Sequence, residues 1–274
     1  MNVGIIGTGN MGRILIEAFI EGKAISPSSI MITNRTIAKA LLLKDKYKDI
    51  KIGANDIEVA AVSDVIFICV KPLDVFKVID RINPLLTKEK CLISITSPIS
   101  TSQIERKVPC SVMRIIPSIT NRALAGVSLF TLGENCSDYW KVEMEKIMSK
   151  VSVPIYIDDK LTRVASDIVS CGPAFFSYLI QSFIKAAVKE TEIDERTATN
   201  LASHMLVGMG ELLKQGHYTL PSLQEKVSVK GGITGEGIKV MEKELGDMFE
   251  HVFQATHHKF QEDLEKVELQ FSQP

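Results

Sequence analysis

The sequence predicts an α/β protein: a doubly wound, mostly parallel sheet over residues 1–158, followed by an all-helical half over 159–274. Three observations carry that prediction. Val3, Ile5 and Ile6 form an apolar run that passes straight into Gly7-x-Gly9-x-x-Gly12, and then into a helical face of Ile14, Leu15, Ala18 and Phe19. Short apolar runs then alternate with helical patterns as far as residue 157, the mark of a wound sheet. From Leu161 onward the apolar spacing is that of a helix and does not change back.

The elements follow in order. Ser26-Pro27 ends the first helix, and Ile30-Met31-Ile32-Thr33 reads as the second strand. A helix over about 36–47 and a short strand near Ile50–Ile52 come next. Asp64 to Val70 is a near-continuous apolar run, as expected of a strand buried on both faces, and Lys71-Pro72 stops it. A helix over about 73–83 leads to strands at Cys91–Ile95, Ser111–Ile115 and Val127–Thr131. A helix around 137–149 and a strand near 153–157 close the first half. Helical spacing then runs from Val164 through Ala187, interrupted at Gly172-Pro173, and again from Ala198 through Leu213. A charged amphipathic helix is expected from about Asp247 to Glu268, with Phe271 to Pro274 as a disordered tail. The helical half has more apolar positions than one solvated face needs, so dimerisation is expected beside capping of a substrate pocket.

Composition narrows the function. Hydrophobic residues are 45% and charged residues 24%, enough for a core, and the net charge of -1 gives no reason to expect nucleic acid or an anionic membrane. No apolar run is long enough to span a bilayer, and the glycines near the start break any secretory signal pattern. The five cysteines never fall in a C-x-x-C pair and the five histidines form no H-E-x-x-H, so a reducing cytosol and no metal are expected.

The glycine motif between a strand and a helix is the setting in which such a sequence binds a dinucleotide, with Gly7, Gly9, Asn10 and Met11 around the pyrophosphate. Asn34-Arg35-Thr36 ends the second strand where an NAD enzyme carries an acid for the ribose 2′-hydroxyl. No acid is there. Arg35, Thr36 and Lys39 offer donors for a 2′-phosphate, which favours NADP, although a solvated Arg and Lys at a helix start is the plainer alternative. Gly231-Gly232-Ile233-Thr234 opens a second helix whose N–H groups suit a substrate carboxylate; Thr234 either reaches a reacting atom or caps the helix. Gly172-Pro173 either admits a cofactor closely or kinks the helix. Cys171 reads as inert core, and His257-His258 as solvated on a polar helix.

Together these motifs resemble the pyrroline-5-carboxylate reductase family along nearly the whole chain. The resemblance includes Ile6 to Gly12, Asn34-Arg35-Thr36, Asp64 to Pro72, Ile93-Ser94-Ile95, Met113-Arg114 with Pro117, Gly172-Pro173-Ala174, and Gly231-Gly232 with Thr234. It implies a Rossmann domain joined to a helical domain that interlocks with a second subunit, NADPH as cofactor, and hydride transfer to the C=N bond of a cyclic imine acid. It further implies that Val70, Lys71 and Pro72 line the nicotinamide, that Gly231 and Gly232 hold the substrate carboxylate, and that Thr234 bonds near the imine nitrogen. Departures gather at the expected substrate site: Ser97-Pro98, Ile116-Pro117-Ser118, Val169-Ser170-Cys171, Val229-Lys230 and Ile233. They resemble a late-competence-type paralogue of the family. Three readings stay open: a reductase of pyrroline-5-carboxylate, a nucleotide-binding regulator, and a reductase of another small acid.

Overall fold

In the computed structural model the described residues are 1–271. Eight strands form one sheet: β1 Val3–Ile6, β2 Ile30–Thr33, β3 Lys51–Ile52, β4 Val65–Ile68, β5 Cys91–Ser94, β6 Ser111–Ile116, β7 Val127–Leu132 and β8 Val153–Tyr156. Their spatial order is β3-β2-β1-β4-β5-β6-β7-β8. The order reverses between β1 and β4, and a crevice at such a switch point is where wound sheets bind ligands. Pairing is parallel except for β6 with β7, which is antiparallel. The link between them carries only a short 3-10 turn, Ile119–Ala123, too short for the crossover that parallel neighbours need.

The helices of the first half are α1 Asn10–Glu21, α2 Ile37–Lys46, α3 Asp56–Val62, α4 Pro72–Ile82, α5 Thr101–Glu105 and α6 Asp138–Met148. Strand alternation divides the core into two layers. Val65, Phe67 and Cys69 pack with Leu15, Phe19, Ala40, Leu43, Trp140 and Met144 from α1, α2 and α6. Ile66 and Ile68 pack with Val59, Val75, Ile79 and Ile104 from α3, α4 and α5 on the opposite face. A sheet covered on both faces accounts for the unbroken apolar reading of β4.

Next come α7 Thr162–Ser166, a π-helical turn Asp167–Cys171, α8 Gly172–Glu190, α9 Glu195–Lys214, α10 Leu220–Val227, α11 Ile233–Leu245 and α12 Met248–Phe271. Two compact units result, one of Met1–Pro173 with Ala255–Pro274, the other of Ala174–Gln254. The return of the C-terminal residues to the first unit differs from a simple two-part reading of the sequence. Val267 and Phe271 are buried in the same layer as α3 to α5, and the Phe271 ring meets Phe76 at 5.2 Å between centroids. Phe271 is therefore ordered helix and not tail; the rest of the expected tail, residues 272–274, lies outside the described residues. In the second unit a small core of Ile184, Ala198 and Ala202 joins α8 to α9.

Candidate functional site

The glycine turn between β1 and α1 is shaped to leave backbone bare. Gly7 has φ +102°, and a Cβ there would lie 2.5 Å from the Cys69 carbonyl oxygen; a Cβ on Gly12 would lie 2.1 Å from the Gly7 oxygen. Only glycine allows strand, turn and helix to meet this closely. A Cβ on Gly9 would instead meet nothing within 4 Å, so this glycine is not required by packing. It faces open space at the N-terminus of α1, where free N–H groups and the helix dipole favour a phosphate. Beside it the Thr8 hydroxyl is buried with no partner among the described residues. These features fit a dinucleotide.

Asn34 braces this turn. Its side-chain oxygen accepts from the Thr8 N–H at 2.9 Å, and its amide donates to the Thr36 carbonyl at 3.0 Å. Its amide is thus spent on holding the loop, while Arg35 and Thr36 after β2 and Lys39 in the first turn of α2 are exposed. A cavity of about 250 Å³ between α1 and α2 is lined by Thr8, Gly9, Asn10, Arg13, Lys39 and Lys46 among others. Met11, in the first turn of α1, is half-buried. Buried Glu17 anchors the cations on one side: its carboxylate meets Arg13 at 3.2 Å, Lys46 at 3.1 Å and Arg122 at 2.7 Å. Burial pushes the Glu17 pKa up, but hydrogen bonds from Lys46 and Arg13 outweigh it and hold the carboxyl below its ordinary range.

A second cavity, of about 520 Å³, opens at the carboxyl ends of β4, β5 and β6. One wall is Pro72, Ile95 to Pro98 and Ile116; the facing wall is the π-helical turn with Arg163, and α12 closes it with Thr256, Lys259, Phe260 and Asp263. Of the residues expected at a nicotinamide, Pro72 lines this cavity, Val70 is half-buried at the end of β4, and Lys71 is exposed as the N-cap of α4. Arg114, buried in β6, fixes the Ser97-Pro98 corner. It donates to the Ser97 and Ile99 carbonyls at 3.4 and 3.3 Å, to Thr131 and Thr162 hydroxyls, and pairs with Asp159.

The π-helical turn has a chemical cause. Pro173 has no N–H, so the Val169 carbonyl lacks its ordinary helical donor. The Ser118 hydroxyl donates to that carbonyl instead, at 2.6 Å, and Ser170 returns a bond to the Pro117 carbonyl at 3.0 Å. Ser118 and Ser170 are two of the departures read in the sequence, and here they clip the end of β6 to the turn. Asp167, fully buried, accepts from Arg163 at 2.7 and 3.2 Å and from the Thr256 hydroxyl at 2.8 Å; His257 Nε2 lies 3.7 Å away. His257, expected to be solvated, is exposed, and its Nε2 also lies near the buried Asp167 carboxylate. Arg163 and Asp167 were not singled out from sequence. The available signal was their spacing of four on a helix, a common surface pattern. Cys171 accepts from Arg163 at 3.4 Å, and burial pushes its thiol above the ordinary value.

In the second unit Gly231 has φ +77°, and Gly232 is the N-cap of α11. Thr234 therefore sits inside the first turn, exposed, with no side-chain bond to the helix N-terminus; it is not the cap. Lys230 and Ile233 are exposed as well. Among the described residues no cluster of side chains could hold a metal, and no helix is long and apolar enough to cross a membrane.

Comparison with known proteins converges on one family. The family model "Pyrroline-5-carboxylate reductase dimerisation" matches residues 159–263, and the model "NADP oxidoreductase coenzyme F420-dependent" matches residues 2–98. The chain is 56% identical over 271 residues to ComE operon protein 4 of Bacillus subtilis, covering 99% of each chain. It is 30% identical to the pyrroline-5-carboxylate reductase of Methanobrevibacter smithii, covering 89% of this chain and 98% of that one. Its fold matches that of a Plasmodium falciparum pyrroline carboxylate reductase solved with NADP bound, at a TM-score of 0.81 and 23% identity, over 99% of this chain and 98% of the other. A Rossmann sheet, the glycine turn and these full-length relatives place the chain in the pyrroline-5-carboxylate reductase family.

Proposed function

We propose that the protein is an NADPH-dependent reductase of a cyclic imine acid, with 1-pyrroline-5-carboxylate reduced to L-proline as the leading reaction. The observation that carries this reading is the pairing of a phosphate-shaped glycine turn with a walled cavity at the carboxyl ends of the same sheet. Gly7, Gly9, Asn10 and Met11 would hold the pyrophosphate, Asn34 by bracing the turn. Arg35, Thr36 and Lys39 would meet the 2′-phosphate, and Val70, Lys71 and Pro72 would border the nicotinamide. When bound, NADPH supplies the hydride. In this reading Gly231 and Gly232 receive the substrate carboxylate through backbone N–H groups, and the Thr234 hydroxyl bonds near the imine nitrogen. A protonated imine is already electrophilic, so positioning and exclusion of water are what the chain must supply.

The helical unit leaves Phe176, Phe183, Leu201, Val207 and Ile233 largely exposed, which supports burial against a second copy as a homodimer or larger assembly. The five cysteines are all unpaired, which suits a cytosolic setting. A second reading, a nucleotide-binding regulator with weak or no catalysis, draws on the similarity to a protein named for the ComE operon. The bonds that Ser118 and Ser170 make maintain a cavity wall, which suits ligand binding in either reading. Expression in a proline auxotroph decides between the two: growth without proline supports the reductase, and failure to grow despite folded, NADPH-binding protein supports the regulator.

A further inference from the structure

We propose that Arg13 is a specificity-determining residue for the cofactor: in the 250 Å³ cavity between α1 and α2 it receives the 2′-phosphate that distinguishes NADPH from NADH. This rests on the reading of the glycine turn as the NADPH site. In a wound sheet the adenosine ribose of a bound dinucleotide lies at the carboxyl end of the second strand. α2 begins at Ile37, just after that end of β2, and its Lys39 and Lys46 line the cavity opposite Gly9 and Arg13. Arg13 stands one turn into α1, its backbone N–H bonded to the Gly9 carbonyl at 2.9 Å. Its guanidinium is held at one corner. Nε donates to the buried Glu17 carboxylate at 3.2 Å, while Nη1 and Nη2 donate to no described residue. A guanidinium fixed by a buried carboxylate, with its fork left exposed, suits a phosphate.

The surrounding charges leave Arg13 available. Lys46 bonds Glu17 and Glu21 at 3.1 and 3.5 Å and lies 4.9 Å from the Tyr47 ring centroid. Arg122 meets Glu17 at 2.7 Å and pairs with Glu21 as well. Lys46 and Arg122 thus balance both carboxylates, so the charges of Arg13 and Lys39 remain in excess beside the cavity. A phosphate monoester, close to doubly charged at neutral pH, matches that excess. Thr8 is an independent sign of a ligand here. It lines the cavity, is 5% exposed, and its hydroxyl has no partner among the described residues.

The test is calorimetric titration of the full-length protein with two ligand pairs, NADPH against NADH and adenosine 2′,5′-bisphosphate against AMP. The native protein should prefer the 2′-phosphorylated member of each pair by about a hundred-fold. Arg13→Gln should cut both preferences about ten-fold by weakening the phosphorylated ligands, with NADH and AMP held within about two-fold of native. Arg13 is exposed, and an unchanged affinity for NADH shows that the variant is folded with its glycine turn intact. Preferences that survive Arg13→Gln would overturn the proposal and leave discrimination to Arg35, Thr36 and Lys39. A parallel loss of NADH and AMP would also overturn it, because Arg13 would then support the turn and not the 2′-phosphate. Native protein that binds NADPH and NADH alike would overturn it while leaving a dinucleotide in the turn. Native protein that binds none of the four ligands would remove the reductase reading with it.

Discussion

Gly9→Ala separates what the glycine turn does for the fold from what it does for the ligand. Gly9 has φ −69° and ψ −169°, extended backbone that alanine adopts without strain. Its new Cβ would meet nothing within 4 Å. Loss of glycine freedom in the unfolded chain stabilises by about 0.4–1 kcal/mol, and alanine at an N-cap costs about as much. The two effects offset, so urea unfolding should shift by no more than about 0.5 kcal/mol. The added methyl, however, stands where a phosphate must reach the N–H groups of α1. NADPH binding, followed by fluorescence titration, should weaken about ten-fold to a hundred-fold, equivalent to roughly 1.4–2.7 kcal/mol. Gly12→Ala should behave oppositely. Its Cβ would press on the Gly7 oxygen at 2.1 Å and the Cys69 side chain at 3.1 Å, costing about 1–3 kcal/mol of stability. A Gly9→Ala protein that binds NADPH as the native protein does would refute the assignment of this turn.

Two further outcomes test the frame around the site. Glu17 has a folded-state pKa below its ordinary value of 4.5, so its contribution is fully present above that value and is lost as pH falls through the lower folded value. Glu17→Gln should lower stability at neutral pH and flatten the acid limb of the stability profile, measured by urea unfolding from neutral pH downward; an unchanged acid limb would contradict the ion network. Phe271→Ala should cost about 3 kcal/mol in unfolding free energy, because the ring is buried against Phe76 in the layer of α3 to α5. A change under about 0.5 kcal/mol would mean that the end of α12 is not docked there.

The sheet and its order of elements were legible because parallel strands buried on both faces leave continuous apolar runs, and because glycine, proline and serine punctuate them. The antiparallel β7 was not legible from periodicity; it follows from the short link after β6. The glycine turn could be read because Gly7 and Gly12 stand where steric demands admit one residue type. The cavity opposite could not. It depends on Asp167, Thr256 and Arg163, polar residues that sequence reasoning assigns to water, meeting one another out of water. Thr256 of α12 is half-buried for the same reason: a buried carboxylate accepts a hydroxyl as its partner where an apolar side chain would leave it unsatisfied. Ser118 and Ser170 read as departures from a family pattern, yet Ser118 supplies a donor to the Val169 carbonyl that Pro173 leaves without one, and Ser170 bonds the Pro117 carbonyl.

The most direct test of the central claim is oxidation of NADPH by the purified protein, with and without 1-pyrroline-5-carboxylate, beside Thr234→Ala. The account predicts substrate-dependent oxidation yielding L-proline, and a fall in kcat/KM of about ten-fold or more in the variant with NADPH affinity unchanged. Tight NADPH binding with no oxidation in the presence of the imine would contradict it.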